Sequence, residues 1–300
     1  APQPVTMEYS MPDAQWTSRT AQNFVKEEYK LNSAVFAVTR TLANGFAEAP
    51  LYCYTDETKK KVIPNHPLRQ LITRPNELMG EDEWWRFLVT YAATTGNHYG
   101  QVIPTKGGMP AELWPYGDMV MTPVPVGNKW IDHYDYSIDG INKTRIDPKE
   151  VVHFKWAIDP EHPWKGMGAL YSVTRETDAD NELTRFLKAL MQNDAVMRGV
   201  VTTPPNVLLT EEQQRKVKAD FEMKFGGPNA GRIAVLPNGM NYTRVSLNMH
   251  ELAFDLLRAG PEARISAAYG VPAIIAGLSV GLARSTYSNY EEARKSFTEQ

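Results

Sequence analysis

An α+β fold is what this sequence predicts, with a mainly β middle third and long helices gathered in the last third. Three observations carry it. Between Tyr99 and Trp156, short runs of β-branched and aromatic residues are cut by Gly, Asn, Asp and Pro. Ahead of them, Val35, Val38, Leu42 and Phe46 recur at helical spacing, as do Trp84, Phe87, Leu88 and Tyr91. Behind them, Leu183, Phe186, Leu187, Leu190 and Met191 form one apolar stripe, with Arg185 and Lys188 off it.

Residues 1–31 are polar with scattered Pro and read as an arm with weak structure of its own. The first helix starts at Asn32 or Ser33, either of which can cap it, and closes near Asn44-Gly45. LYCYT then reads as a strand, and HPLRQLIT as a short helix stopped by Arg74-Pro75-Asn76. In GEDEWWRFLVTYAATTG, three acidic residues occupy the first turn, where the helix dipole favours them, and Gly96 closes the helix. Strands follow at 99–103, from Glu112, and around 119–126, 130–138 and 150–156. After the Leu183 stripe comes a strand in RGVVTTP. Thr210 heads the next helix with a glutamine three residues on, and a hairpin is expected around Pro237-Asn238-Gly239. A long helix from about 248 to 269 contains Gly260-Pro261, where a bend is expected because Pro cannot donate to the carbonyl four residues back. A last helix begins near Ser288 or Asn289, with Glu291 and Glu292 in its first turn and Tyr290, Ala293 and Phe297 on its packing face.

Composition narrows the function. Apolar residues make up 42% of the chain and its formal net charge is -3, so the whole is no basic sheath for nucleic acid. One cysteine, Cys53, rules out an internal disulfide framework and a Cys-rich zinc site. The opening residues have neither a basic start nor an apolar run, which predicts a soluble protein made in a reducing cytoplasm. Uncharged residues 267–283 are broken by three glycines and a proline, and read as a buried turn instead of a membrane span.

Enzyme signatures break down one by one. Gly277-Leu-Ser279-Val-Gly281 matches a hydrolase nucleophile elbow, but no histidine follows Ser279. His250-Glu251 starts a zinc-protease pattern whose second ligand position is Phe254. Asp135, Ser137, Asp139 and Gly140 imitate half an EF-hand loop, with Ile146 where the bidentate acid belongs. His153, Asp159 and His162 fit no compact metal spacing, and a phosphate-binding loop is missing. No catalytic residue, metal ligand or cofactor is assigned.

Several segments, in order, resemble the portal proteins of tailed bacteriophages with lambdoid-type capsids. They are HPLRQLITRPNELMGEDEWWRFLVTYAATTGNHYGQVI (66–103), AELWPYGDMVMTPV (111–124), VVHFKW (151–156) and KGMGAL (165–170), then VMRGVVTTP, RIAVLPNGMNY, AAYGVPAIIAG and STYSNYEEARKSF. The resemblance spans most of 32–300 and leaves the family's crown region beyond the last residue. It implies a portal-like fold: an arm (1–31), a β-rich wing (32–173), a stem helix (174–197), a small α/β clip (198–247), a second stem helix (248–271), and a tunnel loop with the start of a tunnel helix (272–300).

The same resemblance implies a ring of about twelve copies at one capsid vertex. Double-stranded DNA would pass through it in packaging and ejection, and terminase, a head–tail adaptor and the major capsid or scaffold protein would bind around it. No membrane is involved. Arg294 and Lys295 lie off the packing face of the last helix and are candidates for DNA contact in the channel. Arg215, Lys216, Lys218 and Lys224 on the clip helix, set beside Glu211, Glu212, Asp220 and Glu222, are candidates for docking terminase or adaptor. Gly260 and Pro261 mark the stem kink. The competing readings are another virion protein, such as a head–tail adaptor, and a serine hydrolase using Ser279.

Overall fold

In the computed structural model the described residues are 14–55, 57–58, 61–127, 129–192, 199–202, 210–225, 241–244, 254–283 and 286–299. They fall into two compact units. One runs to Asp178 and resumes at Glu262, and the other is Ala179–Pro261.

The first unit opens with a helical segment that the weak-arm reading did not foresee. Helix α1 (Ala21–Asn23) is capped by Thr20 and continues as a π-helical turn, Phe24–Tyr29. Phe24 and Glu28 within it are fully buried. The polar composition concealed this, because one aromatic ring anchors the whole segment. Helix α2 (Ser33–Ala47) follows, with the Asn32 side chain accepting from the Val35 N–H at 3.0 Å. LYCYT does not form the expected strand. Among the described residues it makes a single bridge, Tyr54–Val62, with Tyr52, Tyr54 and Val62 exposed and so without the burial that favours a strand. Helix α3 (Pro67–Thr73) is capped by His66, and α4 (Glu81–Thr95) ends on Gly96 in the left-handed conformation.

Strands β1 (Asn97–Pro104), β2 (Pro110–Tyr116), β3 (Met121–Val126), β4 (Lys129–Tyr136), β5 (Thr144–Ile146) and β6 (Val151–Lys155) make two antiparallel sheets, ordered β2-β1-β6 and β3-β4-β5. Tyr99, Met121, Tyr134, Ile146 and Val151 form a core between them. A small pair, β7 (Ala157–Ile158) with β8 (Gly166–Met167), leads to helix α5 (Leu170–Gln192). This helix starts four residues before the expected boundary at 174, because Leu170 and Val173 belong to the main core. That core joins Phe24, Val35, Val38 and Ala93 to Ile265, Tyr269, Val271 and Leu278. The Phe, Val, Ile and Leu side chains among them each contribute roughly 1.5–3 kcal/mol through burial.

In the second unit, β9 (Gly199–Thr202) pairs antiparallel with β10 (Asn241–Arg244), and α6 (Glu211–Phe225) lies between them in sequence. The α6 start is a reciprocal capping box: the Gln213 N–H donates to Thr210 Oγ1 at 3.4 Å, and the Thr210 N–H donates to Gln213 Oε1 at 3.0 Å. The other strand of the expected hairpin, 232–236, lies outside the described residues, as do 193–198 and 245–253. Helix α7 (Phe254–Tyr269) carries Pro261 in its interior. Within this unit Arg258 ties α7 to α5, through Asp180 at 3.4 Å and Thr184 at 3.1 Å.

The chain then turns through 270–278 into a short helix, α8 (Ser279–Leu282), and finally α9 (Tyr287–Glu299). Helix α9 begins before the expected Ser288 or Asn289. Thr286 caps it by accepting from the Asn289 N–H at 3.3 Å, which places Glu291 and Glu292 beyond the first turn. Among the described residues no helix is long and apolar enough to cross a membrane.

Candidate functional site

Arg294 and Lys295 both sit on α9 with exposed side chains. The helix docks through Phe297, whose ring lies where a Cβ on Gly45 of α2 would come within 3.0 Å. Beside this contact runs a cavity of about 1130 Å³, lined by Arg40, Phe46, Leu88, Tyr290, Arg294 and Phe297, among others. Arg294 thus shares a groove with Arg40, and Lys295 is not part of its lining. Of the expected packing face, Ala293 and Phe297 are half-buried, while Tyr290 stays exposed at the groove edge.

Arg215, Lys216 and Lys218 are exposed on α6, and Lys224 is on the same helix with its side chain outside the described residues. Glu211 and Glu212 precede Arg215 and Lys216 by four residues each, the acid-before-base order that supports a helix. Gly260 has open space around it: a Cβ there would meet nothing within 4 Å.

Ser279 is not presented as a nucleophile. Its hydroxyl donates to Glu262 Oε2 at 2.6 Å, and the Val280 N–H donates to the same oxygen at 3.0 Å. Glu262 of α7 therefore satisfies the start of α8, a capping role played by a carboxylate seventeen residues away.

The polar groups of the β-rich region converge on Asn97, which sequence reasoning missed. Its Oδ1 accepts from the Gly166 N–H at 2.6 Å and from His153 Nε2 at 2.8 Å. Its Nδ2 donates to Asp118 Oδ2 at 3.0 Å and to the Gly166 carbonyl at 3.1 Å. Tyr99 donates to Asp118 Oδ1 at 2.7 Å, and Tyr134 lies 3.3 Å from His153 Nδ1. Because Asn97 Oδ1 takes a proton from Nε2, His153 Nδ1 is left to accept from Tyr134, so the imidazole is neutral. Burial agrees, holding His153 down to about 3 and raising Asp118 above the usual carboxylate range. A carboxylate, an imidazole and two phenols in series resemble a proton relay. Here Asn97 and Tyr99 are buried, and every acceptor named is already taken by protein donors. The network fastens β1, β4, β6 and β8 together.

Its anchor at Gly166 explains the KGMGAL motif. A Cβ on Gly166 would fall 2.2 Å from the Gly96 carbonyl oxygen, and one on Gly168 would fall 2.4 Å from that of Thr94. Backbone lies against backbone there, at the end of α4, and only glycine permits it. Asp139 of the half EF-hand accepts from the Ile141 and Asn142 N–H groups, forming a local turn. Asp159 pairs with His162 at 3.4 Å, while His153 is held in the Asn97 network. Among the described residues no group of three His, Cys, Asp or Glu is placed to hold a metal ion.

Helices and small antiparallel sheets together make an α+β fold, and the polar groups gathered at Asn97 join its strands. Comparison with known proteins gives the family. The phage portal protein family model matches residues 33–300, and the chain belongs to that family, in the class of the HK97 portal. It is 23% identical over 226 residues to the portal protein of Enterobacteria phage HK97, covering 74% of this chain and 51% of that one. It is 26% identical over 280 residues to a protein of Rickettsia bellii, covering 91% and 71%. Among solved structures it is similar to a chain of the native gene transfer agent virion, with TM-score 0.67 and 25% identity, over 94% of this chain and 76% of that one. A chain of the native gene transfer agent neck, computed with C12 symmetry, matches with TM-score 0.66 and 25% identity, over 93% and 76%. A portal protein of the HK97 family from Corynebacterium diphtheriae shares the fold, with TM-score 0.60 at 12% identity, over 94% and 86%.

Proposed function

We propose that this chain is one subunit of a twelve-membered ring at a single capsid vertex, a conduit for double-stranded DNA in packaging and ejection. The observation that carries the proposal is the unbroken family match from residue 33 to 300, joined by the likeness to a particle neck of C12 symmetry. In this reading the β-rich region is the wing. Helices α5 and α7 are stems, the β9–α6–β10 segment is a clip that meets terminase and later a head–tail adaptor, and α9 begins the tunnel helix. Capsid or scaffold protein contacts the ring within the virion. The protein is structural, and the motor that hydrolyses ATP is a separate partner.

Electrostatics support a conduit. A strongly basic wall would release counterions and hold phosphates, whereas a chain of net charge -3 leaves DNA able to slide. Arg294 and Lys295 then act as a few transient phosphate contacts, and the α6 cations as part of the docking face.

Negative-stain images and light scattering of the purified protein test the ring. Annular particles of about twelve copies are expected, and a persistent monomer or dimer rules the reading out. Replacing Arg294 and Lys295 with Ala in the packaging system tests the channel: intact rings with slowed or leaky DNA retention are expected. Unchanged packaging removes these two residues from the DNA path.

A further inference from the structure

The N-terminal segment is strapped across α5 at three neighbouring positions. The Arg175 guanidinium lies 5.6 Å from the centre of the Trp16 ring. The Thr17 N–H and hydroxyl both donate to Asp178, at 2.8 and 2.6 Å. Between these, Thr177 Oγ1 donates to Glu28 Oε2 at 3.0 Å. Glu28 is 0% exposed and stands in the π-helical turn, where an extra residue per turn moves a side chain off the normal helical rows.

Its second oxygen, Oε1, has no hydrogen-bond partner. The hydroxyls of Thr39 of α2 and Tyr269 of α7 are buried beside each other, and neither bonds this oxygen. An ionised carboxylate there buries a charge with one oxygen unsatisfied, which is costly. A neutral carboxyl buries no charge and keeps its bond to Thr177. The charged and titratable groups around it oppose ionisation on balance: Asp178 of α5 adds a like charge, Tyr29 and Tyr269 are neutral, and Arg19 is the cation that offsets them.

We propose that Glu28 is a proton-operated latch: protonated, it locks the Trp16–Tyr29 segment against α2, α5 and α7, and ionised, it frees that segment. Burial raises the Glu28 carboxyl from its ordinary value to about 7, so the latch works near neutrality. The folded value lies above the unfolded one, so the hold is complete in mild acid and is lost as pH rises through 7. The strapped stretch of α5 is the last before Asp178, where the first unit hands the helix on. The latch therefore governs how firmly the N-terminal segment holds α5.

Hydrogen–deuterium exchange of the full chain from pH 6 to 8.5, corrected for intrinsic rates, tests it. Protection of residues 21–29 is expected to fall by up to about tenfold through pH 7 in the wild type and to stay level in Glu28→Gln, which keeps a neutral donor. A level wild-type profile, or the same fall in Glu28→Gln, overturns the proposal. Should Glu28→Gln not fold, Thr177→Val removes the hydroxyl that favours the charged form and must move the midpoint to higher pH. An unmoved midpoint overturns it equally.

Discussion

His98 buries both ring nitrogens without a partner, held among Trp84, Tyr91 and Phe154 at ring distances of 5.1, 6.3 and 6.0 Å. Leaving a buried polar atom unpaired costs roughly 1–3 kcal/mol. Burial also lowers the His98 pKa to about 3, and the folded value lies below the unfolded one, so its stability contribution is present above pH 6.5 and is lost as pH falls towards 3. Substituting His98→Phe keeps the aromatic contacts and removes both penalties. Thermal unfolding should show the variant level with or above wild type at pH 7 and clearly above it at pH 5. A variant less stable at pH 5 would mean that the imidazole has partners after all. Gly168 makes the opposite case: Gly168→Ala drives a Cβ into the Thr94 carbonyl and should cost about 3 kcal/mol in urea unfolding. A loss below about 1 kcal/mol would show that this backbone contact yields readily.

Helix α7 puts the two least helix-prone residues side by side in its interior. Since a Cβ on Gly260 meets nothing, Gly260→Ala should gain about 1 kcal/mol by propensity alone. Pro261→Ala restores a donor towards the Leu257 carbonyl and should gain up to about 3 kcal/mol. If the pair serves as a stem kink, the stabilised variants will form rings and package DNA poorly; full packaging would make the kink dispensable. Elements were legible where their signals are local. Asn32, Thr210 and Gly96 each announce a helix end within four residues, and the short β-branched and aromatic runs in 99–156 announce strands. The Asn97 network was not legible, because its members at 97, 99, 118, 134, 153 and 166 meet only after strands of three separate sheets come together. The Thr286 cap was missed because Ser288 and Asn289 are equally good capping types one turn on. Nothing in composition marks a π-turn at 24–29 either. Its only sign is an aromatic residue and a glutamate in a polar stretch, four positions apart, and both are buried.

Across the whole molecule, titrating groups pull in two directions. His98 and His153, both held down to about 3, weaken the fold as pH drops below 6.5, each by up to about 1.4 kcal/mol per pH unit. Glu28 weakens it as pH rises from its unfolded value towards 7. A stability profile from pH 4 to 9 should therefore peak in mild acid, and Glu28→Gln should raise its alkaline side alone. The family was legible because its motifs sit in order along the chain, and two of them have clear physical causes: the glycines of KGMGAL, and the Tyr269–Val271 core of AAYGVPAIIAG. The residues proposed for the channel, Arg294 and Lys295, had no such local signature, since facing DNA would depend on neighbours in a ring.

The pairing of β9 with β10 brings Thr202 opposite Asn241, so everything between them leaves and returns through one narrow door. Lengthening such an excursion costs little, about 0.6 kcal/mol for each doubling of the loop. In the proposed reading, stems can therefore stay fixed while the intervening stretch is exchanged like a cassette, and a relative's stretch grafted between Thr202 and Asn241 should leave stability within about 1 kcal/mol while changing which motor the ring accepts. On that reading, evolution would tune packaging partners without redesigning the pore.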